Sequence, residues 1–107
     1  MFIMKIAKAK EHIIYTLKNL QETQDEVTYL KEFGESELEQ GELENAKREL
    51  RSLKGHYNGM ISLYAVLTGK DENQLKRDFK ELLEKQRRYE AKLFRENQER
   101  NYMNTER

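Results

Sequence analysis

The chain has 107 residues, pairs 20 lysines and arginines with 20 aspartates and glutamates, and contains neither cysteine nor proline. Balanced charge leaves no global field to draw it onto nucleic acid or an anionic membrane, and the absence of thiols removes disulfides, thiol nucleophiles and thiolate metal sites while fitting a reducing cytoplasm. Hydrophobic residues at 36% and charged ones at 37% depart from the usual ~45–50% and ~25% towards long amphipathic helices with little interior, which argues against a deep pocket.

The first predicted helix covers about residues 3–33. Ile6, Ile13, Leu20 and Val27 recur every seven residues with Leu17 and Leu30 beside them, and the pattern stops at Phe33-Gly34. Ser36 then precedes Glu39 by three, the reciprocal capping pair that opens a second helix over about 36–68. Along it Leu43, Ala46, Leu50, Leu53, Tyr57, Met60, Tyr64 and Leu67 alternate steps of three and four, a coiled-coil-type seam. Gly55-His56-Tyr57-Asn58-Gly59 interrupts the helix propensity but not the seam, so the helix either continues, with or without a bend, or breaks there into a fourth. It closes at Thr68-Gly69, and Asp71 with Gln74 caps a third helix over about 72–96, whose seam is Leu75, Phe79, Leu82, Gln86, Tyr89 and Leu93. Residues 97–107 are polar and aperiodic, a tail expected to fray.

Short connections force antiparallel neighbours. The expected fold is therefore all-α: an elongated antiparallel three-helix bundle, one domain over residues 1–96, with coiled-coil-like seams. No apolar run approaches the ~18 residues of a membrane span, and Met1-Phe2-Ile3-Met4-Lys5 is too short for a signal-peptide core. A cytoplasmic location and no membrane partner are expected.

Two surfaces are candidates for contact. In Met60, Ile61, Ser62, Leu63, Tyr64, Ala65, Val66 and Leu67, apolar side chains point to every side of the helix, and such a helix must be covered all round. Either the bundle supplies the cover, with Phe2, Ile3, Met4 and Ile6 on one side and Leu75 and Phe79 on another, or Met60, Ile61, Leu63, Tyr64, Val66 and Leu67 form a partner interface in which Ile61, Leu63 and Val66 stay outside the bundle. The second surface is the acidic stretch from Gln21 to Glu49, with ten acids against three bases. The turn at Gly34 gathers Glu32, Glu35, Glu37, Glu39, Glu42 and Glu44 into an acidic tip able to steer a basic partner, unless Lys85, Arg87, Arg88, Lys92 and Arg95 of the returning third helix neutralise it.

No pattern indicates catalysis, a cofactor or a metal. His12 and His56 lie on different helices without a His or carboxylate at ligand spacing, the carboxylates sit in polar runs, and Thr68-Gly69-Lys70 lacks the upstream glycine of a phosphate loop. A helix-turn-helix through Ala65 and Gly69 fails at Thr68, Lys70 and Asp78, and residues 70–95 carry nine bases against six acids, weak for a phosphate-binding helix. The Lys/Glu/Asn/Tyr-rich composition is similar in style to small accessory proteins of phages and mobile elements of low-GC bacteria. That likeness covers no motif and assigns no residue.

The sequence therefore predicts a non-enzymatic helical protein that occupies a site on a protein partner as inhibitor or adaptor. The alternatives are a self-assembling homo-oligomeric module, in which the Leu43 to Leu67 seam and the third helix pack across a dimer, and a nucleic-acid-binding accessory protein using the basic third helix.

Overall fold

The computed structural model describes the backbone of residues 2–105 and the side chains of residues 4–102. Three helices run in order: α1 (Phe2–Phe33), α2 (Glu37–Thr68) and α3 (Glu72–Thr105). Helix α2 passes through Gly55 and Gly59 without a break. Helix α3 runs on through the residues expected to fray, as far as Thr105.

The helix ends follow from capping chemistry. Ser36 Oγ accepts from the Glu39 amide at 3.1 Å and donates to Glu39 Oε1 at 2.8 Å, while the Ser36 amide donates to the same carboxylate at 3.4 Å. Both halves of the capping box are made, and such a cap contributes about 1 kcal/mol. At α3 only half of the expected pair forms. Asp71 Oδ2 accepts from the Gln74 amide at 3.0 Å, but the Gln74 carboxamide turns away to donate to Asp78 and accept from Arg77.

The two turns need glycine for different reasons. Gly69 ends α2 at φ 69, ψ 19, with its amide donating to the Ala65 carbonyl, a left-handed conformation that costs other residues about 1–2 kcal/mol. Gly34 has no positive φ, but a Cβ there would lie 2.5 Å from the Leu30 carbonyl oxygen.

Helices α1 and α2 form an antiparallel hairpin with a register visible in the residue numbers. Ile6 and Tyr64, Ile13 and Tyr57, Leu20 and Leu50, and Val27 and Leu43 are each equidistant from Glu35, so they lie level along the two helices. The interior divides into two clusters. Val27, Leu30, Leu43, Ala46 and Leu50 fill the end near the turn, and Leu20 packs against both clusters. The other cluster adds α3: Ile13 and Leu17 from α1, Tyr57, Ile61, Tyr64 and Ala65 from α2, and Leu75, Phe79 and Leu83 from α3. Tyr64 and Phe79 meet edge to face at 5.5 Å.

Helix α3 packs only through its first three turns. Its buried stripe is Leu75, Phe79 and Leu83, a run of steps of four rather than the expected alternation through Leu82. The next positions on that side are Gln86, Arg87 and Glu90, which offer nothing apolar to bury. Tyr89 is therefore 63% exposed, Leu93 40% and Phe94 62%, and the expected seam beyond Phe79 is not made within the chain. The shape agrees. The Cα radius of gyration is 18.5 Å, against about 13 Å for a close-packed chain of this length. The second principal extent of 43 Å is about twice the width of helices packed 8–10 Å apart. The distal half of α3 is an arm leaving the hairpin.

Glycines away from the turns have no such duty: a Cβ at Gly55 or Gly59 meets no atom within 4 Å. Gly55→Ala and Gly59→Ala are each expected to stabilise the protein by about 0.5–1 kcal/mol, whereas Gly34→Ala destabilises it by more than about 1 kcal/mol through the carbonyl clash. Urea unfolding followed by far-UV circular dichroism reads both signs.

Candidate partner-binding surfaces

The apolar candidate resolves into inward and outward residues. Ile61 is 0% exposed and Tyr64 8%, so both belong to the core; of the two alternatives, the one that leaves Ile61 outside fails, because Ile61 sits in the cluster built from all three helices. Ile6 also packs against this cluster, while Met4 remains exposed and the side chains of Phe2 and Ile3 lie outside those described. The cover is therefore partial. Leu63 is 61% exposed, Leu67 45% and Val66 80%, with Met60 half-buried.

These outward residues do not form one face. His56, Met60, Leu63 and Leu67 are spaced four, three and four apart, a single helical stripe. With Tyr64 of α2 and Ala9, His12 and Ile13 of α1 they line a groove of about 380 Å³. Val66 sits about 120° round the helix from Met60 at 3.6 residues per turn, and it is not among the groove residues. The groove is apolar except for the two histidines, one from each helix. Reading the histidines helix by helix misses this convergence. The level pairing of Ile13 with Tyr57 is the signal that brings His12 and His56 to the same stretch of the hairpin, where both line the groove.

Glu32, Glu35, Glu37, Glu42 and Glu44 of the acidic tip are exposed, and Glu39 is half-buried in the capping box. Glu44 holds Lys47 at 3.5 Å, the one ion pair among the described residues. Neutralisation by α3 does not occur: the bases at 85, 87, 88, 92 and 95 lie on the arm, and Arg88 donates back to the Glu84 carbonyl. Glu39 is occupied by its cap, and Glu37 in the first turn of α2 favours the helix dipole. The residues left for a partner are Glu32, Glu35 and Glu42.

The two surfaces lie at opposite ends of the hairpin. About twenty helical residues separate His12 from the tip, roughly 30 Å at ~1.5 Å each. A small ligand cannot touch both; a folded partner can.

Among the described residues no three histidines, aspartates or glutamates are grouped to hold a metal, and no helix is long and apolar enough to cross a membrane. Comparison with protein-family models, curated proteins and solved structures finds no match to the chain.

Burial raises the Tyr57 phenol above its ordinary range, because the low-dielectric interior disfavours the phenolate. The neutral ring's contribution is complete below the unfolded value of about 10 and is lost as pH rises through the higher folded value. Tyr57→Phe is therefore expected to lose stability less steeply than wild type above pH ~10, as measured by chemical unfolding at stepped alkaline pH.

Proposed function

We propose that this chain is a non-enzymatic adaptor or inhibitor that works by binding a protein. A partner inserts the apolar face of a helix or loop into the groove between α1 and α2, and the acidic end of the hairpin orients it. The observation that carries this reading is the stripe of Met60, Leu63 and Leu67 lining one groove with His12 and His56, over a buried base of Ile13 and Tyr64. Such a groove takes amphipathic segments through anchors at helical spacing. Fully burying one leucine anchor is worth about 1.5–3 kcal/mol.

Charge acts at longer range. Glu32, Glu35 and Glu42 raise the encounter rate with a basic surface and lose influence as salt rises. A reducing compartment such as the cytoplasm suits a chain without cysteine.

Affinity capture from source-cell extract tests the reading with wild type, Leu63→Asp/Leu67→Asp, and a Glu32→Lys/Glu35→Lys/Glu42→Lys variant. Wild type is expected to retain one protein at fixed stoichiometry. The leucine variant loses it, and the lysine variant retains it with a slower association rate. Retention of the same protein by the leucine variant, or no retained protein at all, contradicts the reading.

A further inference from the structure

The monomer exposes too much surface. Its accessible area is 8655 Å², whereas a close-packed monomer of 12.9 kDa exposes about 6,300 Å² by the usual scaling. The excess of roughly 2,300 Å² per chain is more than the ~600–1,000 Å² that each partner contributes to a standard stable interface. The arm of α3 supplies much of it, and its sequence is patterned rather than merely soluble.

Two parallel stripes run along the arm. Leu82, Tyr89 and Leu93, with Gln86 between them, make the apolar stripe, 36%, 63% and 40% exposed at the three apolar positions. Lys85, Arg88, Lys92 and Arg95, spaced three, four and three apart, make a basic stripe next to it. Between residues 85 and 95 there are five bases and one acid. Among the described residues the chain's own hairpin does not meet this pattern, because α3 diverges after Leu83.

The complement lies on the outer face of α1. Glu22, Glu26, Tyr29 and Phe33, spaced four, three and four apart, are all exposed, with Asp25 and Glu32 flanking them. The Tyr29 and Phe33 rings meet at a tilt of 42°, 5.2 Å between centroids, with both residues about 60% exposed. An apolar pair set among acids matches an apolar stripe set beside bases, and aromatic faces also attract guanidinium groups. The chain is neutral overall, with 20 charges of each sign, yet its acidic and basic surfaces stay apart, so a second copy carries a complement to each of them.

We infer that the chain forms a symmetric dimer in which the α3 arm of each copy packs on the outer face of the partner's α1, seating its Leu82, Tyr89 and Leu93 stripe on Tyr29 and Phe33 and its bases on Glu22, Asp25 and Glu26. Two-fold symmetry makes the contact twice, which accounts for an excess larger than one helix pair hides. The groove between α1 and α2 lies roughly 25 Å along the hairpin from Tyr29 and stays open. The dimer presents two grooves and binds a bivalent partner with avidity.

Sedimentation equilibrium over ~1–200 μM, a range that brackets micromolar interfaces, tests this with three proteins of full length. Wild type should reach twice 12.9 kDa. An arm variant (Lys85→Glu, Lys92→Glu, Arg95→Glu) and a face variant (Glu22→Lys, Asp25→Lys, Glu26→Lys) should each stay monomeric, since each sets like charge against like. Mixed in equal amounts they should form a one-to-one heterodimer, because the acidic arm meets the basic face and the basic arm meets the acidic face. That rescue cannot come from misfolded chains. A wild type that stays monomeric throughout, or a dimer that either variant leaves intact, overturns the inference.

Discussion

Ile13 from α1, Ile61 from α2 and Leu83 from α3 are the largest fully buried side chains among the described residues, and all three belong to one cluster. Around them the chain becomes more than a helical hairpin. The cluster holds α3 through three inward residues and then releases it, because the next residues on that side are Gln86, Arg87 and Glu90. Core substitutions of large aliphatic residues to alanine cost about 2–5 kcal/mol. With so few apolar residues tying α3 down, the junction governs both the position of the arm and the covering of Ile61. An α3 packed along its whole length would cover the hairpin's flank and hide Tyr89 and Leu93; the short junction leaves them outside.

The same constraint organises the charge. Acids collect around the Gly34 turn, from Glu22 to Glu49, and bases collect on the arm, from Lys85 to Arg95. A fully packed bundle would bring the two together and cancel them internally. Because α3 departs, they remain on separate surfaces of a neutral molecule, available to a second copy or a charged partner. The apolar groove is set by the hairpin and not by the arm, so its base persists whatever the arm does.

Much of the fold can be read from the residues. The seven-residue series in α1 and the three-four series in α2 mark the hairpin, Ser36 with Glu39 marks its turn, and Gly69 marks the next. Helix α2 continues through Gly55, His56, Tyr57, Asn58 and Gly59 because Leu50 before the weak point, Tyr57 within it and Met60 and Ile61 after it pack into the core, and tertiary burial outweighs a propensity cost of about 1 kcal/mol per glycine. Helix α3 is where pattern reading fails. Its alternation through Leu82, Gln86, Tyr89 and Leu93 is sound as periodicity, but burial selects Leu75, Phe79 and Leu83, and periodicity alone does not say whether a face meets its own hairpin or another chain. Thr16 and Thr23, buried at 6% and 7%, escape a search for hydrophobic positions although they sit seven apart beside the core stripe. In the candidate site, the helical spacing of Met60, Leu63 and Leu67 is legible. The burial of Ile61 and the sharing of one groove by His12 and His56 depend on neighbours that one helix does not reveal.

The departure of α3 after Leu83 is open to a direct distance measurement, since a chain without cysteine accepts two spin labels at chosen positions without competition. Thr28→Cys and Asn97→Cys place them on α1 and on the arm, and dilution with unlabelled protein leaves only distances within one chain. Leu83 shares its cluster with Ile13; from there Thr28 lies about 22 Å along α1 and Asn97 about 21 Å along the arm at ~1.5 Å per residue, so an arm that leaves the hairpin at a wide angle puts the labels about 30 Å apart. A distance below about 25 Å, as for helices packed side by side 8–10 Å apart, would contradict the account, for it would mean that α3 closes on its own hairpin.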